Sequence, residues 1–382
     1  MIVKPVGLLR PQSTFIQYGL YNKSQFDDLV NNQNLIPIAT TSEFNNLRNS
    51  VSQTMGSGSP YEGTYTTGLD KKYVIYQPID LTSIANFTPY ASYAQTFDGN
   101  EVAVTNLNIN NASTFVGLFG TVSGMVKNLW VSGDVQSTNV AGLGTGGVCA
   151  SLSGTTENCR FNGTVTSASQ DTGGIVGSMT GSGTVGGCRT TGTIDGTTRV
   201  GGIVGRTNDV LNVITECRSS MDATGTTNWV GGIIGRNDGA TISECFATGN
   251  AVSGTVTAGG FVGYNQAGTI SNCYATGNAS GPNFNGGFSG ANDGTIDDCY
   301  SIGVPQVAAT YGGFSAFNGG TITNSYWDTV TSGVGTSAGG TGKTTTEMHN
   351  GAIPDVSIYV GWSASIWNPV DNSNYPILIN NN

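Results

Sequence analysis

The sequence predicts an all-β chain: a right-handed parallel β-solenoid (β-helix) of about eight or nine coils with a short helical cap at its N-terminus. Two registers and a composition make that prediction. Gly-Gly pairs start at Gly146, Gly173, Gly201, Gly231, Gly259, Gly286 and Gly312, 26 to 30 residues apart. A cysteine keeps the same beat at Cys159, Cys188, Cys217, Cys245, Cys273 and Cys299, with Ser325 in the next place. Two markers holding one period signify a repeat array, and repeats of this length point to a solenoid. Glycine supplies 58 of 382 residues and charged residues only 10 %, against roughly 25 % charged in an ordinary globular chain. That suits short strands and tight turns better than helices laced with ion pairs.

The elements follow in order. Residues 1–35 lie outside the repeat and read as an attachment segment, with a short helix that starts at Ser24 as N-cap and carries Asp27 in its first turn. Residues 36–72 read as a helical cap and linker. Thr40-Thr-Ser-Glu43 is a capping box, and Phe44, Leu47 and Val51 follow at helical spacing, which predicts a helix over about 42–54. Its apolar stripe needs the open end of the solenoid, whose strand edges need covering in turn. After a loop over Gly56–Thr67, Tyr73–Asp80 reads as the first strand, and the solenoid runs over 73–327. Residues 328–382 leave the period. In them Ile366-Trp-Asn-Pro and Tyr375–Ile379 read as a terminal strand and cap for the other end.

Aligned coils give columns. Val148, Ile175, Ile203, Ile233, Phe261, Phe288 and Phe314 follow the glycines and read as core. The cysteines stack inward as small buried hydrophobes with free thiols. Strand alternation then sends the next column outward: Arg160, Arg189, Arg218, Phe246, Tyr274, Tyr300 and Tyr326. The residues before the cysteines, Asn158, Glu216, Glu244, Asn272, Asp298 and Asn324, sit at a corner, their direction open.

Charge restricts the partners. Lys and Arg total 14 against 24 Asp and Glu, a net charge of -10 spread thinly along the chain. That disfavours nucleic acid and anionic membranes. No stretch approaches the roughly 18 apolar residues of a membrane span, so no membrane insertion is expected. The N-terminal residues carry no apolar signal core, since Lys4, Pro5 and Arg10 break them. With one histidine, His349, and no Cys-x-x-Cys pair, neither a metal nor another cofactor is expected.

Gly117-Leu-Phe-Gly120, Gly174-Ile-Val-Gly177, Gly202-Ile-Val-Gly205, Gly232-Ile-Ile-Gly235 and Gly260-Phe-Val-Gly263 each precede a strand. These elements resemble the GLUG-motif repeats of bacterial surface and adhesin-like proteins, which also occur beside secreted peptidase modules. Phe97-Asp-Gly-Asn100 at the start, and Ser325-Tyr-Trp-Asp328 with Gly340-Thr-Gly-Lys-Thr344 at the end, look like the flanks of such arrays. The resemblance covers roughly residues 74–380 and implies a scaffold. It departs from the peptidases, whose zinc helix needs two histidines, and from exported relatives, which carry a signal.

Four chemistries compete with plain structural readings. Ser337–Thr344 falls short of a phosphate-binding loop, because Ser337 stands where the first glycine should be and no α/β pattern surrounds it. Asp297, Asp298, Glu216 and Glu244 could bring carboxylates together for glycan cleavage, although such a column is more often solvated surface. Arg206 and Arg236 follow successive Gly-x-x-Gly elements and read as solvated or acid-paired. The column Asn162, Thr191, Ser220, Thr248, Thr276, Ile302 is too ragged for an ice-binding face. The candidate ligand site is Tyr274, Tyr300 and Tyr326 with Trp327, an aromatic strip for sugar rings or a partner; the competing reading packs it under the C-terminal segment, against Trp362 or Trp367. The functional expectation is a non-enzymatic structural or interaction protein. Its expected setting is a virion surface, tail or capsid decoration, reached without a signal. It would bind other virion or surface proteins through the N-terminal segment, a host glycan or receptor through the wall, and further copies of itself as a homo-oligomer. The alternatives are a bacterial cell-surface adhesin and a glycan-active β-helix enzyme.

Overall fold

The structure is a computed structural model that describes residues 19–50, 52–55, 63–350, 358–368 and 374–380. It is a parallel β-solenoid of about nine turns. Each coil lays one strand on each of four sheets, exemplified by Trp229–Gly231 on sheet I, Ile234–Asn237 on sheet II, Thr241–Ser243 on sheet III and Phe246–Ala247 on sheet IV. Neighbours within a sheet are successive coils in parallel register, so Arg199, Trp229 and Thr257 stand in one column and Arg236 and Tyr264 in another. Coils repeat about 4.8 Å along the axis.

The glycine pairs mark the corner between sheets I and II, where two backbones crowd. A Cβ on Gly231 would lie 2.2 Å from the Ile234 carbonyl oxygen, and one on Gly232 would lie 2.3 Å from the Gly260 oxygen and 2.6 Å from the Ala247 Cβ. The second glycine faces the inward column of sheet IV and leaves it room: Thr190, Ser219, Ala247, Ala275 and Ser301 are small, and the rings of Phe161 and Trp327 lie over Gly147 and Gly313 at its two ends. Around this seam the core is one continuous stack. Phe261, Phe288 and Phe314 lie parallel with ring centroids 4.6 and 4.9 Å apart.

All seven cysteines are free and buried, and six form the expected inward column. They do more than fill space. The Cys245 thiol donates to the Ser243 carbonyl at 3.1 Å while its sulfur accepts the Cys217 amide at 3.3 Å. Ser325 continues the pattern, donating to the Thr323 carbonyl at 2.7 Å and accepting the Cys299 amide at 3.2 Å. The column is a hydrogen-bonded ladder that ties each corner to the next coil. Burial pushes the thiols of Cys245 and Cys273 well up, so they stay protonated donors. Cys245→Ser, which keeps both bonds, is expected to cost less than about 1 kcal/mol. Cys245→Ala, which loses both and leaves a void, is expected to cost about 1–2 kcal/mol. Urea denaturation ranks the two, and an inverted order would count against the ladder.

The corner column is left-handed backbone. Asn158, Glu216, Glu244, Asn272, Asp298 and Asn324 have φ of 51, 53, 53, 53, 51 and 43°, and Gly187 fills the remaining coil at φ 62°. Asn, Asp and Gly tolerate this region best among residues. The chemistry of the column is thus that of a turn.

The ends are closed by different means. Helix α1 (Lys23–Asn31) is capped by Asn22 paired reciprocally with Gln25, two residues earlier than the expected Ser24, because the Asn22 side chain accepts the Gln25 amide. It packs Phe26 and Leu29 on Val74 and Tyr76. Helix α2 (Thr41–Asn45) has the expected Thr40–Glu43 box, but gives way to a single 3₁₀ turn ending at Arg48 instead of running on to 54. Val51 lies outside the described residues, and Ser52–Met55 pairs antiparallel with Gly63–Thr66 where the end of the helix and a loop were expected. Phe44 and Leu47 still plug the core, against Phe87, Tyr90 and Phe97. The first strand of the solenoid is Ile36–Ile38, paired with Tyr73–Ile75, ahead of the expected start at 73. Residues 19–35 are therefore part of the body; the rest of the expected attachment segment, 1–18, lies outside the described residues.

At the other end Ser337–Lys343 forms the lid. The Ser337 hydroxyl accepts the amides of Phe314 and Ser315, and Thr341–Lys343 pairs with Tyr326–Asp328 as the last strand of sheet IV. Helix α3 (Thr345–Asn350) follows. Trp367–Asn368 and Ile377–Leu378, expected as a terminal strand and cap for this end, instead pair antiparallel with each other and lie against the side of the solenoid.

Candidate functional site: an aromatic groove on the solenoid wall

The tyrosine column forms as a stack but is not an open strip. Phe246, Tyr274 and Tyr300 lie parallel on sheet IV, with centroids 4.8 and 5.0 Å apart. Tyr274, Tyr300 and Tyr326 are buried, in one cluster with Met348, Tyr359, Trp362 and Trp367. The Tyr300 hydroxyl donates to the Pro376 carbonyl at 2.9 Å, and the Trp367 and Trp362 indoles donate to Asn272 and to the Asn324 carbonyl. Trp327 points the other way, into the lumen above Gly313. The surface these residues were expected to offer is occupied by the chain's own C-terminal segment.

The acidic residues of the corner do not form one group: Glu216 and Glu244 stand on successive coils, about 4.8 Å apart along the axis, and Asp298 lies further along the column. Glu244 and Asp298 stand two coils apart, about 10 Å along the axis, with Asn272 and its Trp367 bond between them. Asp297 accepts from Thr323 and Asn324. Asp298 is pushed up to about 6, first by burial and then by the charge of Asp297, and its Oδ1 has no hydrogen-bond partner. Folded above its unfolded value near 3.8, this carboxyl favours the folded state at low pH. A penalty sets in as pH rises through about 4 and is complete above about 6. Asp298→Asn, which matches its neighbours Asn272 and Asn324, is expected to stabilise by about 1 kcal/mol at pH 7.5, a figure reduced for the group's half exposure, and by almost nothing at pH 4. Denaturation at the two pH values tests this; an equal effect at both would refute it.

Where sheets I and II meet, two outward columns stand side by side. Sheet I contributes Arg199, Trp229, Thr257, Phe284 and Thr310; sheet II contributes Arg206, Arg236, Tyr264, Ala291 and Phe317. Small residues in the middle and rings on both sides leave a concavity of about 260 Å³. Trp229 and Tyr264 lie 5.8 Å apart on one side, Phe284 and Phe317 6.5 Å apart on the other. Phe317 is 45 % exposed. The rim is polar. The Arg236 guanidinium sits 4.6 Å above Trp229 and 5.7 Å from Tyr264. Asp238 holds both Arg206 and Arg236, and Arg236 also reaches Gln266. Tyr264 donates to Asp293 at 2.6 Å; burial first, then that carboxylate, pushes its hydroxyl up to about 12. The arginines are acid-paired as expected, yet they border a groove that the sequence columns, read one at a time, did not disclose.

Residues 229–253 and 254–280 match the model of the GLUG motif. The chain carries GLUG repeats. The matched coils supply Trp229, Arg236, Thr257 and Tyr264 of the groove, and Phe284, Ala291 and Phe317 come from the coils that follow. The described fold is similar to the 1.30 Å crystal structure of a putative immunoglobulin A1 protease from Bacteroides ovatus. The TM-score is 0.51 at 20 % identity, over 91 % of this chain and 92 % of that one. At that identity the likeness concerns fold alone. A comparison with curated proteins gives no match. Among the described residues no three metal-ligating side chains converge, and no helix is long and apolar enough to cross a membrane.

Proposed function

We propose that this GLUG solenoid is a non-enzymatic structural and interaction protein, a virion surface, tail or capsid-decoration component that turns its wall toward a receptor, a glycan or a neighbouring subunit. The observation that carries the reading is how the charged groups of the wall are committed. Asp238 is clamped between two arginines and Asp171 is held by Arg199. Asp328 accepts from Thr345 and Tyr375. A glycan hydrolase needs two carboxyls about 5–9.5 Å apart across an open cleft. Here Glu216 and Glu244 stand side by side on one edge, about 4.8 Å apart along the axis and not across a cleft, and the interval between Glu244 and Asp298 is crossed by the C-terminal segment. Side chains spent on holding coils together support a scaffold reading over a catalytic one.

Cross-linking and mass spectrometry on native particles and native envelope test the setting. Links from Lys4 or Lys23 to capsid or tail proteins are the expected result. Links to envelope proteins alone would overturn it in favour of a bacterial surface adhesin. Loss of a glycan-cleaving turnover on changing Asp297, Asp298 or Glu244 would overturn the non-enzymatic reading.

A further inference from the structure

From the aromatic groove between sheets I and II we infer a binding site for a neutral saccharide, holding one pyranose ring between the Trp229–Tyr264 and Phe284–Phe317 pairs. The inference rests on the reading of the wall as an interaction surface and adds the ligand class. Three features of the groove select that class.

The first is shape. Four aromatic side chains stand around a floor made of Thr257 and Ala291. Aromatic faces pack against the C–H faces of sugar rings while the ring hydroxyls stay free to bond at the rim. At about 260 Å³ the concavity falls below the roughly 300–1,000 Å³ of sites that engulf drug-sized ligands, so it takes a single ring and leaves the remainder of a glycan outside. The coil period places Trp229 and Phe284 two coils apart, about 10 Å along the axis, which leaves room for one flat ring between them.

The second is the rim. Asp293 accepts the Tyr264 hydroxyl with Oδ2, and its Oδ1 accepts no hydrogen bond from the described residues. Arg236 and Gln266 are already paired to each other and stand beside the rings. A fixed carboxylate oxygen, a fixed amide and a fixed guanidinium next to apolar walls suit a ligand that has hydroxyls on its edge and an apolar face. An extended apolar segment suits them less, because it would cover Asp293 Oδ1 without supplying a donor.

The third is charge. Arg206 and Arg236 are balanced by Asp238 and Asp293. The groove carries no net charge to attract a sialic or uronic acid, and Asp293 at its mouth opposes one.

The test uses the full chain with methyl β-galactoside, methyl β-glucoside, methyl α-mannoside and N-acetylglucosamine as probes, and N-acetylneuraminic acid and glucuronate as acidic comparators. Saturation-transfer NMR and tryptophan fluorescence titration give the readout. At least one neutral probe is expected to bind in the millimolar range. Trp229→Ala and Phe284→Ala are expected to weaken it at least tenfold, and Trp229→Phe less. Ala291→Leu, which fills the groove from its floor and leaves the four rings in place, should abolish binding with unchanged thermal unfolding and covers the case in which the ring deletions fail to fold. Binding by none of the neutral probes, preference for the acidic sugars, or equal binding by Ala291→Leu would overturn the inference. So would a self-association of the chain that Trp229→Ala abolishes, since the groove would then serve a second copy. Failure here leaves the cross-linking result standing, whereas turnover of a bound glycan would overturn the non-enzymatic reading and leave the site intact.

Discussion

Asn265→Asp is expected to destabilise the solenoid by about 3–5 kcal/mol at neutral pH, although it changes one nitrogen to one oxygen. Asn265 belongs to an inward ladder at the turn between sheets II and III, with Thr207, Asn237, Asn292 and Asn318. It is fully buried. Its amide nitrogen donates to the Gly268 carbonyl at 3.1 Å and to the Asn292 carboxamide at 2.8 Å, while its oxygen accepts from Asn237 at 3.1 Å. Aspartate would set a charged acceptor against two acceptors in a dry site. Protonation restores one donor, so the folded-state pKa of the new carboxyl must rise. Relative to wild type, the variant should be least impaired near pH 4 and worsen as pH climbs through the unfolded value near 3.9 toward the raised folded one. Asn265→Ala deletes the same bonds without a charge and should cost about 3–4 kcal/mol with no added pH dependence. Urea denaturation of both variants at pH 4 and 7.5 separates them. A pH-independent Asn265→Asp would mean that water reaches the ladder.

The ladder also indicates how much of the molecule can be read in advance. Period, sheet direction and inward cysteines are legible because each coil must solve the same steric problem with the same residue, as Gly231 and Gly232 do at their crowded corner. The left-handed corner was harder. Glu216 and Glu244 are not turn residues by type, and the informative member was the exception, Gly187, which shares their conformation. Ile36–Ile38 carried no repeat marker and includes Pro37, tolerable only because the strand lies at the edge of its sheet. The outward tyrosines illustrate a different limit. Alternation gives the direction of a side chain but not what covers it, and the cover arrives from 95 residues along the chain in the Asn272–Trp367 bond. For the groove the signal existed in two columns, Arg236–Tyr264–Phe317 and Trp229–Phe284. Only the adjacency of sheets I and II makes them one site.

Asp98→Ala is expected to cost about 3–5 kcal/mol as well, but locally. Asp98 lies in the Phe97-Asp-Gly-Asn element at the head of the array and is fully buried. It accepts the Tyr21 hydroxyl at 2.6 Å, the Asn100 amide at 2.9 Å and the Asn128 amide group at 3.1 Å, and pairs with Lys127 at 3.2 Å. Removing the carboxylate strands four donors, one of them charged. Asn100, which this carboxylate orients, in turn receives the Leu20 amide and donates to the Ile75 carbonyl. The polar anchoring of the N-terminal segment to the first coil therefore converges on one side chain, beside the packing of Phe26 and Leu29 on Val74 and Tyr76. In a solenoid each coil contacts only its neighbours, so loss at the end frays the end. Hydrogen exchange should accelerate by at least a hundredfold over residues 19–35 and 73–76 in Asp98→Ala, while amides around Cys273 stay protected. Asp98→Asn, which retains one acceptor oxygen, should fall between. Asn265→Asp should do the reverse, opening the middle of the stack and leaving the N-terminal helix docked. Uniform loss of protection in both variants would mean that the nine turns unfold as one unit, and that the Phe97–Asn100 element stabilises the array as a whole rather than closing its end.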